Sequence, residues 1–236
     1  MNKKKYTIAQ ILPALNTGGV ERGVVEISRA LVKNNFRSIV ISSGGYMVSQ
    51  VIRNGGIHYN LNIHTKNPFK WPKIRNQLKI ILENENVDLI HFCSRTPAWI
   101  GMPLGNVLDI PIITSVHMRF RKTNIFKKYY NSILTKGNCI IAISKHIEVC
   151  VKNSFPNVSE KIRIIQRGVD LDLFNPSQIN PARIIAQSKL LNLKDNLPVI
   201  IMAARPAMWK GYVVLIKALS QIKHDFQCIL IGAGDG

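Results

Sequence analysis

Short runs rich in Ile, Val and Thr alternate with longer helix-like runs along most of this chain, and that alternation limits the folds open to it. Strand-like runs fall at 6–12, 38–42, 57–61, 88–92, 111–116, 139–143 and 162–166. Helix-like runs lie between most of them, at 20–34, 72–84, 98–108, 125–135 and 145–153. Val20, Val24, Ile27 and Leu31 make one helical face, and Ile74, Leu78, Ile81 and Leu82 make another. Strands interleaved with helices predict an α/β fold with a mostly parallel, doubly wound sheet.

The segment 170–181 (DLDLFNPSQINP) breaks this rhythm with two Asn-Pro pairs and reads as a linker. It divides the chain into a first domain, 1–169, and a second, 170–236. The second offers a helix near 183–191, the strand Val199–Ala203, a helix from Trp209 and the strand Gln227–Ile231. A glycine-rich loop, Gly232-Ala233-Gly234-Asp235-Gly236, follows. Such a loop after a buried strand ordinarily leads into a helix. Roughly 65 residues are also few for an independent core, so the second domain is expected to be incomplete.

Val199–Ala203 is apolar without alternation, as expected when both faces of a parallel sheet are covered. Arg205 and Lys210-Gly211 follow it, just before an amphipathic helix. Open α/β sheets bind ligands at the carboxyl ends of their strands, and helix amino termini favour anions. Two fixed cations there suit a diphosphate; a solvated loop with two surface cations fits equally. Asn16-Thr17-Gly18-Gly19-Val20-Glu21-Arg22 occupies the same kind of position after the first strand. Its glycines let main chain approach a ligand closely, although a plain tight turn reads the same way. The Gly-x-Gly-x-x-Gly dinucleotide fingerprint is absent, which argues against a dehydrogenase.

His117 stands just past the run 111–116, again at a carboxyl end. There it is either structural or a group that hydrogen-bonds a substrate hydroxyl or phosphate, or moves a proton. His91 reads as a satisfied near-core histidine. The remaining histidines show no ligand spacing, so no metal site is expected. Asp170-Leu171-Asp172 imitates a metal motif but opens the linker, and is read as interdomain structure.

Lys plus Arg is 32 against 13 Asp plus Glu, a formal charge of +19. Such a field suits nucleic acid, an anionic membrane or a phosphorylated glycolipid. The joint excess of Lys, Asn and Ile equally suits compositional drift. The stretch 117–136 (HMRFRKTNIFKKYYNSILTK) sets cations beside Phe120, Phe126, Tyr129 and Tyr130, as a membrane surface or nucleic acid would require. Ile125, Tyr129 and Ile133 could instead face the core. Four scattered cysteines contain no Cys-x-x-Cys pair and fit a reducing cytosol. Lys3-Lys4-Lys5 before an apolar run imitates a secretory signal, but Gln10, Pro13 and Asn16 interrupt it, and a first strand is the preferred reading.

Taken in order, these elements resemble a known family. They are Gly18-Gly19-Val20-Glu21-Arg22, Ser94-Arg95-Thr96-Pro97-Ala98-Trp99, Thr114-Ser115-Val116-His117, Ala142-Ile143-Ser144-Lys145, Arg167-Gly168-Val169-Asp170 through Phe174, Arg205 with Lys210-Gly211, and Leu230-Ile231-Gly232-Ala233-Gly234. The chain resembles the family-4 retaining glycosyltransferases of the GT-B fold. Ser94 to Trp99 and Lys66-Asn67-Pro68 are most similar to the lipopolysaccharide-core branch. The resemblance implies two Rossmann-like domains facing across a cleft, the second incomplete here. It implies a nucleotide-sugar donor such as a UDP- or GDP-sugar, retention at the anomeric carbon and no metal. Arg205 and Lys210 match the pair that holds the donor diphosphate, Gly18 and Gly19 the loop whose amides touch it, and His117 a catalytic-site residue near the reacting sugar. The family's paired-glutamate motif lies beyond the glycine-rich loop. A glycolipid acceptor places the enzyme in the cytoplasm, peripheral on the inner membrane face. The rival readings are a non-catalytic remnant of such an enzyme and, ranked last, a basic nucleic-acid-binding module. Oligomeric state is not encoded in any of these features.

Overall fold

A computed structural model of the chain describes residues 5–120 and 124–232. Lys3 and Lys4, residues 121–123 of the basic aromatic stretch and residues 233–236 of the glycine-rich loop lie outside the described residues. The chain divides into two compact units, Met1–Asp170 and Leu171–Gly236.

The first unit runs β1 (Thr7–Ile11), α1 (Gly19–Lys33), β2 (Arg37–Ser42), α2 (Val48–Arg53), β3 (Ile57–Asn60), α3 (Trp71–Asn84), β4 (Leu89–Phe92), α4 (Arg95–Val107), β5 (Ile112–Val116), α5 (Ile125–Ser132), β6 (Cys139–Ala142), α6 (Lys145–Ser154) and β7 (Ile162–Ile164). Its seven strands form one sheet in the order β3-β2-β1-β4-β5-β6-β7. Every adjacent pair is parallel. The chain winds outward from β1 to β3, then returns and winds the other way from β4. Right-handed crossovers put α1 and α2 on one face and α3, α4 and α6 on the other. The packing agrees. Alternate residues of a strand point to opposite faces. Ile11, Ile41, Ile90, Phe92 and Ile140 join the α3, α4 and α6 side chains in the larger core. Val40 joins Val24, Val25 and Val51 in a second core under α1 and α2. The reversal between β1 and β4 opens a crevice at their carboxyl ends, the usual ligand position in such sheets.

Three details go beyond the sequence pattern. Ile27 of α1 is exposed, and Val25 and Ser28 take the buried stripe instead, because α1 meets the sheet one position further round. The short helix α2 carries no readable period in its six residues. Ile125 and Tyr129 turn away from the core, at 83% and 63% exposure, and only Ile133 is buried.

The second unit contains α7 (Pro181–Leu190), β8 (Val199–Ala203), α8 (Tyr212–Leu219) and β9 (Gln227–Ile231). β8 and β9 pair in parallel. The expectation of a strand buried on both faces is not met. β8 alternates between exposed and half-exposed residues, and none of the described residues from 171 to 232 is buried. Two strands and two short helices leave too few partners to cover both faces of β8.

Candidate active site

The carboxyl edge of the seven-stranded sheet gathers the first unit's candidate residues. The loop after β1 ends at Gly18, which opens α1; glycine has no side chain to cap the helix, and the Glu21 carboxylate of the first turn folds back against it. Main-chain bonds to the loop after β2 brace it: Leu15 N–H to the Gly44 carbonyl at 2.7 Å and Met47 N–H to the Leu15 carbonyl at 2.8 Å. A helix amino terminus presents N–H donors and the positive end of the helix dipole, and the Glu21 carboxylate sits at that end here. Gly18 has extended backbone (φ 170°), so its conformation does not itself demand glycine.

His117 follows β5. Its Nδ1 lies 2.9 Å from Nη2 of Arg167, and Nη1 of the same guanidinium donates to the Gly19 carbonyl. Arg167 thus links the loops after β1, β5 and β7. Glycine at position 19 makes this possible: a Cβ there would stand 2.7 Å from Arg167 Nη1. Burial, the Arg167 charge and then His91 push the His117 pKa down to about 4. At neutral pH the ring is therefore uncharged. His117 Nε2 is shielded from solvent and has no hydrogen-bond partner among the described residues.

Beneath His117 lies a polar floor. His91 Nε2 is 2.6 Å from Ser115 Oγ, both residues are buried, and burial holds the His91 pKa at about 4. Cys93 is enclosed, and burial raises its thiol to about 12, so it stays protonated. His91 is therefore the satisfied core histidine that the sequence suggests, and neither Ser115 nor Cys93 is placed as a nucleophile.

The other predicted residues belong to the second unit. Arg205 and Lys210 share the loop after β8, both exposed. Lys210 ends a short 3-10 turn, Met208–Lys210, and Gly211 caps α8 in the left-handed region at φ 86°, where glycine is strongly favoured. Among the described residues neither cationic side chain has a hydrogen-bond or ion-pair partner. Asp170, read as interdomain structure, pairs with Arg29 of α1. Among the described residues no three His, Cys, Asp or Glu side chains cluster to hold a metal ion.

Two motifs behind the resemblance are structural here. Asn67 caps a 3-10 turn by accepting from Phe69 N–H at 3.0 Å. In the Ser94–Trp99 element, Arg95 Nη1 donates to Asn131 Oδ1 at 2.6 Å and Trp99 Nε1 to the Tyr130 carbonyl at 3.1 Å, docking α4 on α5. Sequence reasoning missed Arg167 as a site residue. Its signal was available: like His117, it follows a strand at the carboxyl edge.

The sequence model for glycosyltransferase family 4 matches residues 17–173, from the loop before α1 to the first residues of the second unit. The chain belongs to glycosyltransferase family 4. A solved glycosyltransferase from Rickettsia africae is 36% identical with a TM-score of 0.85, covering 97% of this chain and 60% of that one. HepE from Anabaena, solved in complex with UDP and glucose, has a TM-score of 0.81 at 16% identity, covering 97% of this chain and 61% of its own. That likeness concerns the fold. Spore coat protein SA of Bacillus subtilis is 25% identical over 157 residues, 64% of this chain and 41% of its own length. The chain thus spans about three-fifths of these solved structures. The comparisons support the GT-B-like α/β fold.

Proposed function

We propose that this chain carries the acceptor-side domain and the first part of the donor-binding domain of a retaining glycosyltransferase. The enzyme transfers a sugar from a nucleotide-sugar, such as a UDP- or GDP-sugar, to a cell-envelope glycolipid of the lipopolysaccharide-core type. The observation that carries this reading is the glycine-opened amino terminus of α1 at the sheet's reversal point, with His117 tied to it through Arg167. Membership of family 4 and a neighbour solved with UDP support the donor class.

The physics favours a diphosphate leaving group. As the sugar bond breaks, charge grows on the β-phosphate. Hydrogen-bond donors and cations of the kind each unit carries, main-chain amides at Gly18 and Gly19 in the first and Arg205 and Lys210 in the second, stabilise such charge; removing one such donor commonly costs roughly 3 kcal/mol in the transition state. The departing phosphate oxygen can accept the acceptor hydroxyl's proton, so no separate base is required, and no metal enters the scheme.

The acceptor reading rests on α5. Ile125 and Phe126 are each 83% exposed beside Lys127 and Lys128. Apolar side chains flanked by cations suit the surface of an anionic membrane. Among the described residues no helix is long and apolar enough to cross one.

The test is calorimetric titration of UDP-glucose into the chain and into Arg205→Ala and Lys210→Ala. Binding that weakens about tenfold in each variant, roughly 1.4 kcal/mol, supports the diphosphate assignment. Affinity unchanged in both removes it.

A further inference from the structure

Arg167 has its own chemistry to explain. A guanidinium donates five N–H bonds, accepts none and keeps its charge at any working pH. Its Nη2 lies 2.9 Å from His117 Nδ1, so that ring nitrogen must present a lone pair. The ring proton then sits on Nε2, the atom shielded from solvent and without a partner among the described residues. Arg167 cannot easily turn aside, because Nη1 is engaged by the Gly19 carbonyl at the first residue of α1. The guanidinium lies along a glycine face of that helix. A Cβ at Gly19 would crowd Nη1 at 2.7 Å, and one at Gly23 would meet Cζ at 3.7 Å.

We infer that Arg167 is a positioning residue that locks His117 in its Nε2–H form and ties it to the opening of α1, so that the ring holds a permanent N–H donor for a ligand oxygen that enters the shielded space around Nε2. The identity of that ligand as a nucleotide-sugar rests on the function proposed above; the tautomer does not. A free histidine exchanges between two neutral forms and a charged one, and would offer a donor only part of the time. With Arg167 in place the ring's polarity is set before any ligand arrives, and the neighbouring groups keep it so. His91 is neutral, Cys93 is protonated, and Arg167 is the one fixed charge acting on the ring among these three.

The same arrangement makes the inference testable without turnover. Arg167 is exposed apart from its two bonds, so replacing it leaves the core untouched. In the ¹⁵N-labelled chain, the His117 ring nitrogens are followed from pH 8 to pH 4 in the wild type and in Arg167→Met, with urea midpoints verifying that both are folded. The wild type should hold its proton on Nε2 over nearly the whole range, titrating only near 4. Arg167→Met should show mixed tautomers and a higher midpoint. A wild-type ring protonated at Nδ1, or a variant spectrum like the wild type's, overturns the assignment. UDP and UDP-glucose are then titrated into the wild type. An Nε2 shift with both identifies a phosphate oxygen as the acceptor, and a shift with UDP-glucose alone identifies a sugar hydroxyl. If the tautomer is as stated but neither compound binds anywhere on the chain, the nucleotide-sugar reading fails and the role of Arg167 stands. If they bind without moving Nε2, the donor role of His117 fails.

Discussion

Gly19→Ala separates the site from the fold. The backbone at position 19 is outside the left-handed region, so alanine meets no conformational barrier. Its Cβ would instead stand 2.7 Å from Arg167 Nη1, inside any real contact distance. The neighbour is the end of a long, exposed side chain, so it swings away and the helix stays put. Two solvent-exposed hydrogen bonds are lost, each contributing on the order of 1 kcal/mol or less. Alanine returns part of that through helix propensity, up to about 1 kcal/mol. Net stability should therefore change by less than about 1 kcal/mol. The site should change more. Without the guanidinium on Nδ1, the His117 midpoint should rise from about 4, though not to its ordinary 6.5, because burial is the larger cause and remains. Gly23→Ala is the control. Its Cβ would meet Arg167 Cζ at an ordinary 3.7 Å, so it should raise stability by up to about 1 kcal/mol and leave His117 unmoved. Urea unfolding and ring-nitrogen titration of both variants provide the assay. A Gly19→Ala protein with wild-type His117 titration, or a Gly23→Ala protein with a shifted one, would refute the reasoning.

Other outcomes follow from the same geometry. His91 and His117 both have folded pKa values depressed to about 4 from 6.5, so below pH 6.5 the unfolded chain takes up protons that the folded chain does not. Stability should be full above pH 6.5 and fall as the pH drops toward 4, by at most roughly 3 kcal/mol for each histidine; urea midpoints that stay flat between pH 7.5 and 4.5 would contradict this. Gly101→Ala should destabilise by about 1–3 kcal/mol through overpacking, since its Cβ would press on Phe92 and on Leu78 at 2.9 Å inside the larger core. A thermal midpoint at or above the wild type would count against the packing described. Phe126→Ser should weaken binding to vesicles containing anionic phospholipid and leave binding to neutral vesicles unaffected; equal sedimentation of variant and wild type with anionic vesicles would remove α5 from the membrane reading.

Much of the first unit was legible because its signals are local. Strand runs such as 38–42 and helix faces such as Ile74, Leu78 and Leu82 announce themselves by period, and alternation then dictates a parallel sheet. The carboxyl-edge position of His117 followed directly. Burial of β8 was not legible, because an apolar run reports what a strand can bury and says nothing of whether neighbours exist to cover it. Arg167's place after a strand was legible, but its pairing was not. Its partners, Gly19 and His117, lie 148 and 50 residues away, and only the sheet order brings them together. The exposed α5 face was an even choice in sequence, since Ile125, Tyr129 and Ile133 share a helical spacing and only the packing shows that Ile133 alone turns inward.

The central claim is that the amino terminus of α1 receives the diphosphate of a nucleotide-sugar. Backbone amide resonances of Gly18 and Gly19, followed while UDP-glucose and then uridine are titrated into the labelled chain, address it most directly. The account predicts saturable shifts at both glycines with UDP-glucose and none with uridine. Shifts confined to residues remote from the carboxyl edge of the seven-stranded sheet, or identical responses to both compounds, would contradict it.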